Sequence, residues 1–473
     1  MQQPIDSLTK RSRADQLHDA MTLCCPIILR LNDSEVLLLE HDGRFSLPNL
    51  EIPRWQRSAP HLIREVRRSL GVDVICRFSF GTDPYDAPLR YFVLDVLKLK
   101  PRVADNAAWV AIEEIRWTVL EPIAAREHFY AALQQAKQYS LAKPPSLFTK
   151  PQWFREVADW TRSHLTTYGL CMSGPWEQYN MGPSFALIRY ETTGLPVWFK
   201  AVSEPNLREY EITRLLATLR LPHVPQVLAV HSDWHGWLML DANGSPIDET
   251  STLESWQTAA RSLAELQIQC IPSSASLISA GCEDLRTDKL RREIKPFLNA
   301  LGQLMKLQPA TPPRVLNAGD FHFVEAALMQ AIDELESLRI PDSLGHTDLN
   351  PGNLIVNENE ATFLDWMQSH VGHPCLTFEY LRALLNRLRP ERESWQADIQ
   401  DAYCQQWKRL CPKHHMERAL KAMHLVAAFA FGISSPRWRE DVRDMNPYLA
   451  RALRSIGRRM FLEAQQLSPR TYY

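Results

Sequence analysis

Residues 344–366 constrain this chain more than any other stretch. They run from Leu344 through His346, Asp348, Asn350, Pro351, Gly352 and Asn353 to Asp365 and Trp366, and hold two short β-like runs about a polar turn at 357–360. The apolar spacing around them, from Asp241 onward, is otherwise almost wholly helical. A hairpin folded about Asn359 sets Asn353 opposite Asp365, so an amide and a carboxylate converge on one point. That pair suits Mg2+, which takes hard oxygen donors and leaves its other positions to water and phosphate. Asp348 precedes Asn353 by five residues on a loop tightened by Pro351 and Gly352, so it can face the same ion without binding it, as a general base should. His346 reads either as a structural hydrogen-bonder of this loop or as a proton carrier.

Composition removes several function classes. With 53 basic and 55 acidic residues the formal net charge is −2, which offers no electrostatic footprint for nucleic acid or an anionic membrane. The longest apolar run, residues 425–433, is far shorter than the roughly 18 residues a membrane span needs. The N-terminus shows no basic region followed by an apolar segment, so no signal peptide is expected. Nine cysteines without a C-x-x-C spacing, with the adjacent Cys24 and Cys25 a poor chelate, read as reduced core-filling thiols of a cytoplasmic protein.

At ~100–200 residues per domain, 473 residues ask for two or three domains. The composition breaks at 140–151, where three prolines end the apolar periodicity. Before the break, β-rich runs at 22–31, 35–40, 72–80 and 91–99 accompany a helix at 61–70 that ends at Gly71. After it come a β-hairpin about Thr193 and Gly194, a helix at 207–219, and strands near 226–230 and 237–240. This places domains at 1–140 and 153–473 with a linker at 141–152, the second domain dividing into a β-rich lobe, 153–242, and an α-rich lobe, 243–473.

His346, Asp348, Asn353 and Asp365 resemble the catalytic segment of the aminoglycoside phosphotransferase and choline kinase family, H-x-D-x-x-x-x-N followed by an aspartate in a hydrophobic-D-[WF] context. The resemblance implies an α+β, bilobal, protein-kinase-like fold and transfer of phosphate from ATP to a hydroxyl of a small molecule, an aminoglycoside-, amino-sugar- or choline-like acceptor. By the same resemblance Asp348 is the base and Asn353 and Asp365 hold Mg2+. A kinase fold also needs a strand lysine to bind phosphates, which Lys200 supplies, and a helix glutamate to pair with it. Glu209 and Glu211 point roughly 200° apart on a helix, and the family pattern favours Glu209. Gly182 and Ser184, ahead of the first strand of the hairpin, could cap phosphates through backbone N–H groups. Asp241 lies in the stretch 237–244 where a hinge would offer backbone groups to adenine. The family often has G-D-P and then D-L after the second aspartate. Here Gly372, His373 and Pro374 are followed by Thr377 and Phe378, which puts the supporting hydrogen bonds of the loop in question.

The first domain resembles a Nudix module of mixed-sheet α/β type. Arg64, Glu65, Val66, Gly71 and Val72 stand in register with its box, but Leu50 replaces the box glycine, Gln56 its first glutamate, and Arg68 and Ser69 the acidic pair. One carboxylate beside a cation makes no tight site for a hard metal, so this module is expected to be catalytically silent. The sequence thus predicts a small-molecule kinase with an accessory domain. Its rivals are a nucleotide-binding regulatory pseudokinase and a Nudix hydrolase with a kinase-like appendage.

Overall fold

The computed structural model describes residues 21–53, 57–80, 89–97, 103–115, 120–121, 123–139, 147–151, 153–180, 182, 184–309 and 311–467. They form two compact units, one of residues 1–210 and 227–241, the other of residues 211–226 and 242–473.

The first unit opens with β1 (Met21–Arg30), β2 (Glu35–His41), β3 (Arg44–Ser46), β4 (Leu50–Pro53), α1 (Ser58–Leu70), β5 (Val74–Phe80), β6 (Leu89–Val96), β7 (Ala107–Ala111), β8 (Leu120–Glu121) and α2 (Ile123–Tyr139). The sheet order is β5-β6-β1-β2-β3-β8, with β4 pairing β1 and β7 pairing β2. It is mixed, because β1 runs parallel to β6 and β3 to β8. Strand alternation gives β1 two buried faces. Cys24 and Ile28 pack with Leu62, Val66 and Leu70 of α1, whereas Cys25, Ile27 and Leu29 pack with Phe129, Ala132 and Ala136 of α2. Adjacent Cys24 and Cys25 therefore point into different cores, where burial pushes each thiol up to about 12. All nine cysteines are free thiols, and eight are buried. Helix α1 ends as the sequence predicts, on Gly71 with φ 72°, a left-handed conformation that glycine adopts without strain.

The same unit continues with α3 (Trp153–Thr167), β9 (Met172–Asn180), β10 (Phe185–Thr192), β11 (Val197–Val202), the start of α4 (Arg208–Leu219), β12 (Val227–His231) and β13 (Gly236–Leu240). These strands form a second sheet, β12-β13-β11-β10-β9, antiparallel throughout. Of the proline-rich stretch at 140–151, residues 140–146 lie outside the described residues. Phe148 and Thr149 that follow are buried, and both sides of the stretch fall in one unit.

The second unit contains β14 (Ser245–Pro246), α5 (Leu253–Cys270), α6 (Ser274–Ser279), β15 (Glu283–Leu285), α7 (Thr287–Lys306), α8 (Ala318–Leu338), β16 (Ser343–His346), β17 (Leu354–Val356), β18 (Ala361–Phe363), β19 (Ser369–Gly372), α9 (Cys375–Leu388), α10 (Trp395–Trp407), α11 (Lys413–Ile433) and α12 (Pro447–Leu467). The sequence predicts one non-helical insert here, but β14, β15 and β19 lie outside it. Each adds a strand to the insert, giving sheets β14-β17-β18 and β15-β19-β16. Strands of two to four residues carry too little periodicity to be read locally, and exist because β16 and β17 have edges to cover. The apolar run at 425–433 is the core-facing part of α11, and no described helix is long and apolar enough to cross a membrane.

Candidate active site

The hairpin β17-β18 forms where the sequence predicts it, but its register differs by one residue. Leu354 pairs with Phe363 and Val356 with Ala361, so the residue opposite Asn353 is Leu364, whose N–H donates to the Asn353 carbonyl at 2.9 Å. The physical reason is the turn. Two residues, Glu358 and Asn359, connect Asn357 to Glu360, and the Asn357 side-chain oxygen accepts both the Asn359 and Glu360 N–H groups at 2.9 and 3.0 Å. A two-residue loop centres between residues rather than on Asn359. Asp365 comes one position later, at φ 64°, a left-handed conformation that an aspartate tolerates better than most residues.

Asp348 is held at both carboxylate oxygens. Asn350 Nδ2 donates to Oδ1 at 3.0 Å, and Asn353 Nδ2 donates to Oδ2 at 3.2 Å and to the Asp348 carbonyl at 3.0 Å. The amide nitrogen of Asn353 is thereby committed to Asp348, leaving its oxygen as the acceptor end, the chemistry a hard cation requires. His346 ties the loop to the far side of the hairpin. Its Nε2 lies 3.0 Å from the Leu364 carbonyl and 2.8 Å from that of Asp365, while Nδ1 accepts the Asp348 N–H at 3.0 Å. Donor at Nε2 and acceptor at Nδ1 define a neutral imidazole, and its burial pushes the pKa down. Both ring nitrogens are thus engaged with backbone.

Thr377, which stands where the family often has an aspartate, accepts the His346 N–H on Oγ1 at 2.9 Å. The substitution therefore keeps a hydrogen bond from α9 to the loop. It also explains Gly345: a Cβ there would sit 2.2 Å from His370 Nε2 and 2.5 Å from Thr377 Oγ1. Sequence reasoning missed His223 and Ser262. Phe363 N–H donates to the His223 carbonyl at 2.8 Å, His223 Nδ1 lies 3.1 Å from the Ala361 carbonyl, and Ser262 Oγ accepts the Ala361 N–H at 2.9 Å. No local motif marks them, because they are 138 and 99 residues, respectively, from the Ala361 they brace.

In the first unit, Lys200 is 7% exposed and its Nζ donates to Glu209 Oε1 at 2.5 Å. Glu211 instead pairs at the surface with Arg214 at 2.7 Å. The two substitutions Glu209→Gln and Glu211→Gln should accordingly be unequal. The first should lower activity at least about tenfold, by leaving a buried ammonium with a weaker partner, and the second by less than about twofold. Steady-state rates of the two variants check this, and equal, small effects would return Lys200 to a structural role. Gly182 has φ 141°, a region open to glycine, in the turn between β9 and β10, and the Ser184 carbonyl accepts the Ser203 N–H at 2.9 Å. Asp241 is committed to its own lobe. Trp198 Nε1 donates to its carboxylate at 2.9 Å, Arg189 lies 3.6 Å from it, and its N–H donates to the Pro196 carbonyl at 2.9 Å.

Residues 199–412 match the phosphotransferase enzyme family. The match covers under half of the chain and marks this segment as similar to phosphotransferases of the small-molecule kinase class. No curated protein matches the sequence. Among solved structures, the macrolide 2'-phosphotransferase of Brachybacterium faecium shares 17% identity over 67% of this chain and 100% of its own, with a TM-score of 0.41. The ethanolamine kinase of Plasmodium vivax shares 11% over 70% and 94%, at 0.42. The choline kinase of Cryptosporidium parvum Iowa II shares 12% over 66% and 95%, at 0.43.

Proposed function

We propose that the chain uses ATP and Mg2+ to phosphorylate a hydroxyl of a small molecule, of the aminoglycoside-, amino-sugar- or choline-like kind. The observation that carries this reading is the Asp348 carboxylate, gripped at both oxygens by amides of Asn350 and Asn353 on a loop that His346 anchors. A carboxylate so oriented can accept the proton of an acceptor hydroxyl, and in phosphoryl transfer most of the work is such positioning. Asn353 and Asp365 would hold Mg2+, which when bound neutralises phosphate charge. Lys200, aligned by Glu209, would bind phosphate oxygens, and the backbone at Gly182 and Ser184 would cap them. His346 acts through position, since its two nitrogens are engaged with backbone. The intact Thr377 to His346 hydrogen bond favours turnover over the pseudokinase reading. Labelled ATP incubated with pooled hydroxylated metabolites and aminoglycosides tests it. A labelled product that Asp348→Asn abolishes is the expected result, and nucleotide binding without transfer to any pool would support the pseudokinase.

For the N-terminal sheet we retain the Nudix-like reading, divided from the kinase-like domain at 141–152. Its box helix is α1, and the lone box carboxylate, Glu65, is taken by Arg68 at 2.6 Å. Gln56 lies outside the described residues. The full chain should hydrolyse no nucleoside diphosphate derivative at millimolar Mg2+ or Mn2+. Hydrolysis lost on Glu65→Gln would contradict this.

A further inference from the structure

Strand β9, which leads into the turn at Gly182 and Ser184, is fastened from outside its own sheet. Gln178 is 4% exposed and meets Cys76, 102 residues earlier in the chain. Its Oε1 accepts the Cys76 N–H at 2.9 Å and its Nε2 donates to the Cys76 carbonyl at 2.8 Å. One side chain thus satisfies both backbone groups, as a neighbouring strand would. It can do so because β5 is an edge strand whose register against β6 shifts between Cys76 and Phe78. A second shift falls in the β9-β10 pairing, where Ile188 faces Gln178 and Leu187 faces Asn180, so that Tyr179 is the extra residue. Such irregularities re-aim the chain that follows them. Beyond this one, Asn180 Nδ2 donates to the Phe185 carbonyl at 2.9 Å and closes the turn.

The surrounding contacts make this fastening stiff. Ile75 and Leu97 share one core cluster with Phe154, Ile188 and Tyr190. Arg77, 2% exposed, donates to the Thr149 carbonyl at 2.8 Å and to Asp33 at 2.6 Å. Arg155 donates to the Leu97 carbonyl at 2.5 Å. Two of the sheets of the first unit therefore meet through polar groups that have few alternative partners once buried.

Building on the phosphotransferase reading, we propose that Gln178 is a positioning residue for the nucleotide phosphates: through it, β5 of the N-terminal sheet sets the place of the Gly182 turn. The accessory sheet then contributes to nucleotide binding without touching the nucleotide. The Gln178 to Cys76 pair and the Arg155 to Leu97 bond span the same junction, but only the first sits on the strand entering the turn.

The test uses the full chain. Gln178→Leu should weaken binding of Mg·ATP, measured by calorimetry, by about tenfold, within the range usual for coupled sites. It should leave kcat at saturating nucleotide within about twofold. Arg155→Ala, which loosens the junction elsewhere, should leave nucleotide affinity within about twofold. In the wild-type chain, saturating Mg·ATP should slow hydrogen exchange of the Cys76 amide, because linkage is reciprocal, and this measurement needs no variant to fold. Unchanged affinity in Gln178→Leu, an equal loss in Arg155→Ala, or an unaltered Cys76 exchange rate on nucleotide binding would each overturn the positioning role while leaving the phosphotransferase reading intact. A wild-type chain that binds no Mg·ATP would overturn both.

Discussion

Asp348→Asn is expected to cut phosphoryl transfer by at least roughly 10²-fold while Mg·ATP binding stays nearly unchanged. The asymmetry follows from the geometry. Asp348 is gripped by the side-chain amides of Asn350 and Asn353 and by its own N–H to His346, so an amide of the same shape keeps the loop in place. What it loses is the proposed acceptor for the substrate proton. It also sets an NH2 group against one of the two neighbouring amide donors, a local mismatch that the His346 bonds to the Leu364 and Asp365 carbonyls resist. Asp365→Ala should behave differently, lowering nucleotide affinity together with turnover, because it removes an oxygen proposed to bind the metal. Parallel measurements of kcat and of the Mg·ATP dissociation constant for both variants separate the two roles. Unchanged turnover in Asp348→Asn would remove it as the base.

Acid should destabilise the second unit through its buried histidines, and Asp342, whose carboxyl burial raises to about 6, offsets part of that slope because the folded chain takes up its proton first. His370 and His373 are 1% and 4% exposed, and burial pushes both down from 6.5 to about 3. Among the described residues His370 Nδ1 and His373 Nε2 have no hydrogen-bond partner, so a proton added there would be a bare buried charge. Folded-state values below the unfolded value mean that the unfolded chain binds more protons between about pH 3 and 6.5, so stability is full above 6.5 and falls as pH drops. Each histidine contributes ~1.4 kcal/mol per pH unit, so the pair costs about 5 kcal/mol between pH 6.5 and roughly 4.5, a large share of a typical domain's stability. The lowered His346 adds in the same direction. Denaturant unfolding across that window, followed by tryptophan fluorescence, should show the slope. The double variant His370→Leu, His373→Asn should flatten it, since asparagine can still accept the Cys375 N–H that His373 Nδ1 takes at 3.3 Å. A flat wild-type profile would count against this account.

Features carried by residues close in the chain were legible before any fold was known. The Pro351-Gly352 turn, the hairpin around 357–360, the Gly71 stop of α1 and the fact that Glu209 and Glu211 cannot both face Lys200 rest on spacings of a few residues, which backbone geometry translates directly into structure, whereas the choice of Glu209 came from the family resemblance. Spacing alone could not choose the hairpin register, because a centre on Asn359 and a centre between Glu358 and Asn359 differ by less than any propensity resolves. The tertiary structure decided the rest. It alone brings Gln178 to Cys76, Thr377 to His346 and His223 to the β18 strand, partners 102, 31 and 138 residues apart. Each is an ordinary polar side chain in the sequence. Burial makes it specific, since a backbone group cut off from water must find a partner wherever the chain's packing brings one, and that partner leaves no periodicity in the sequence to announce it.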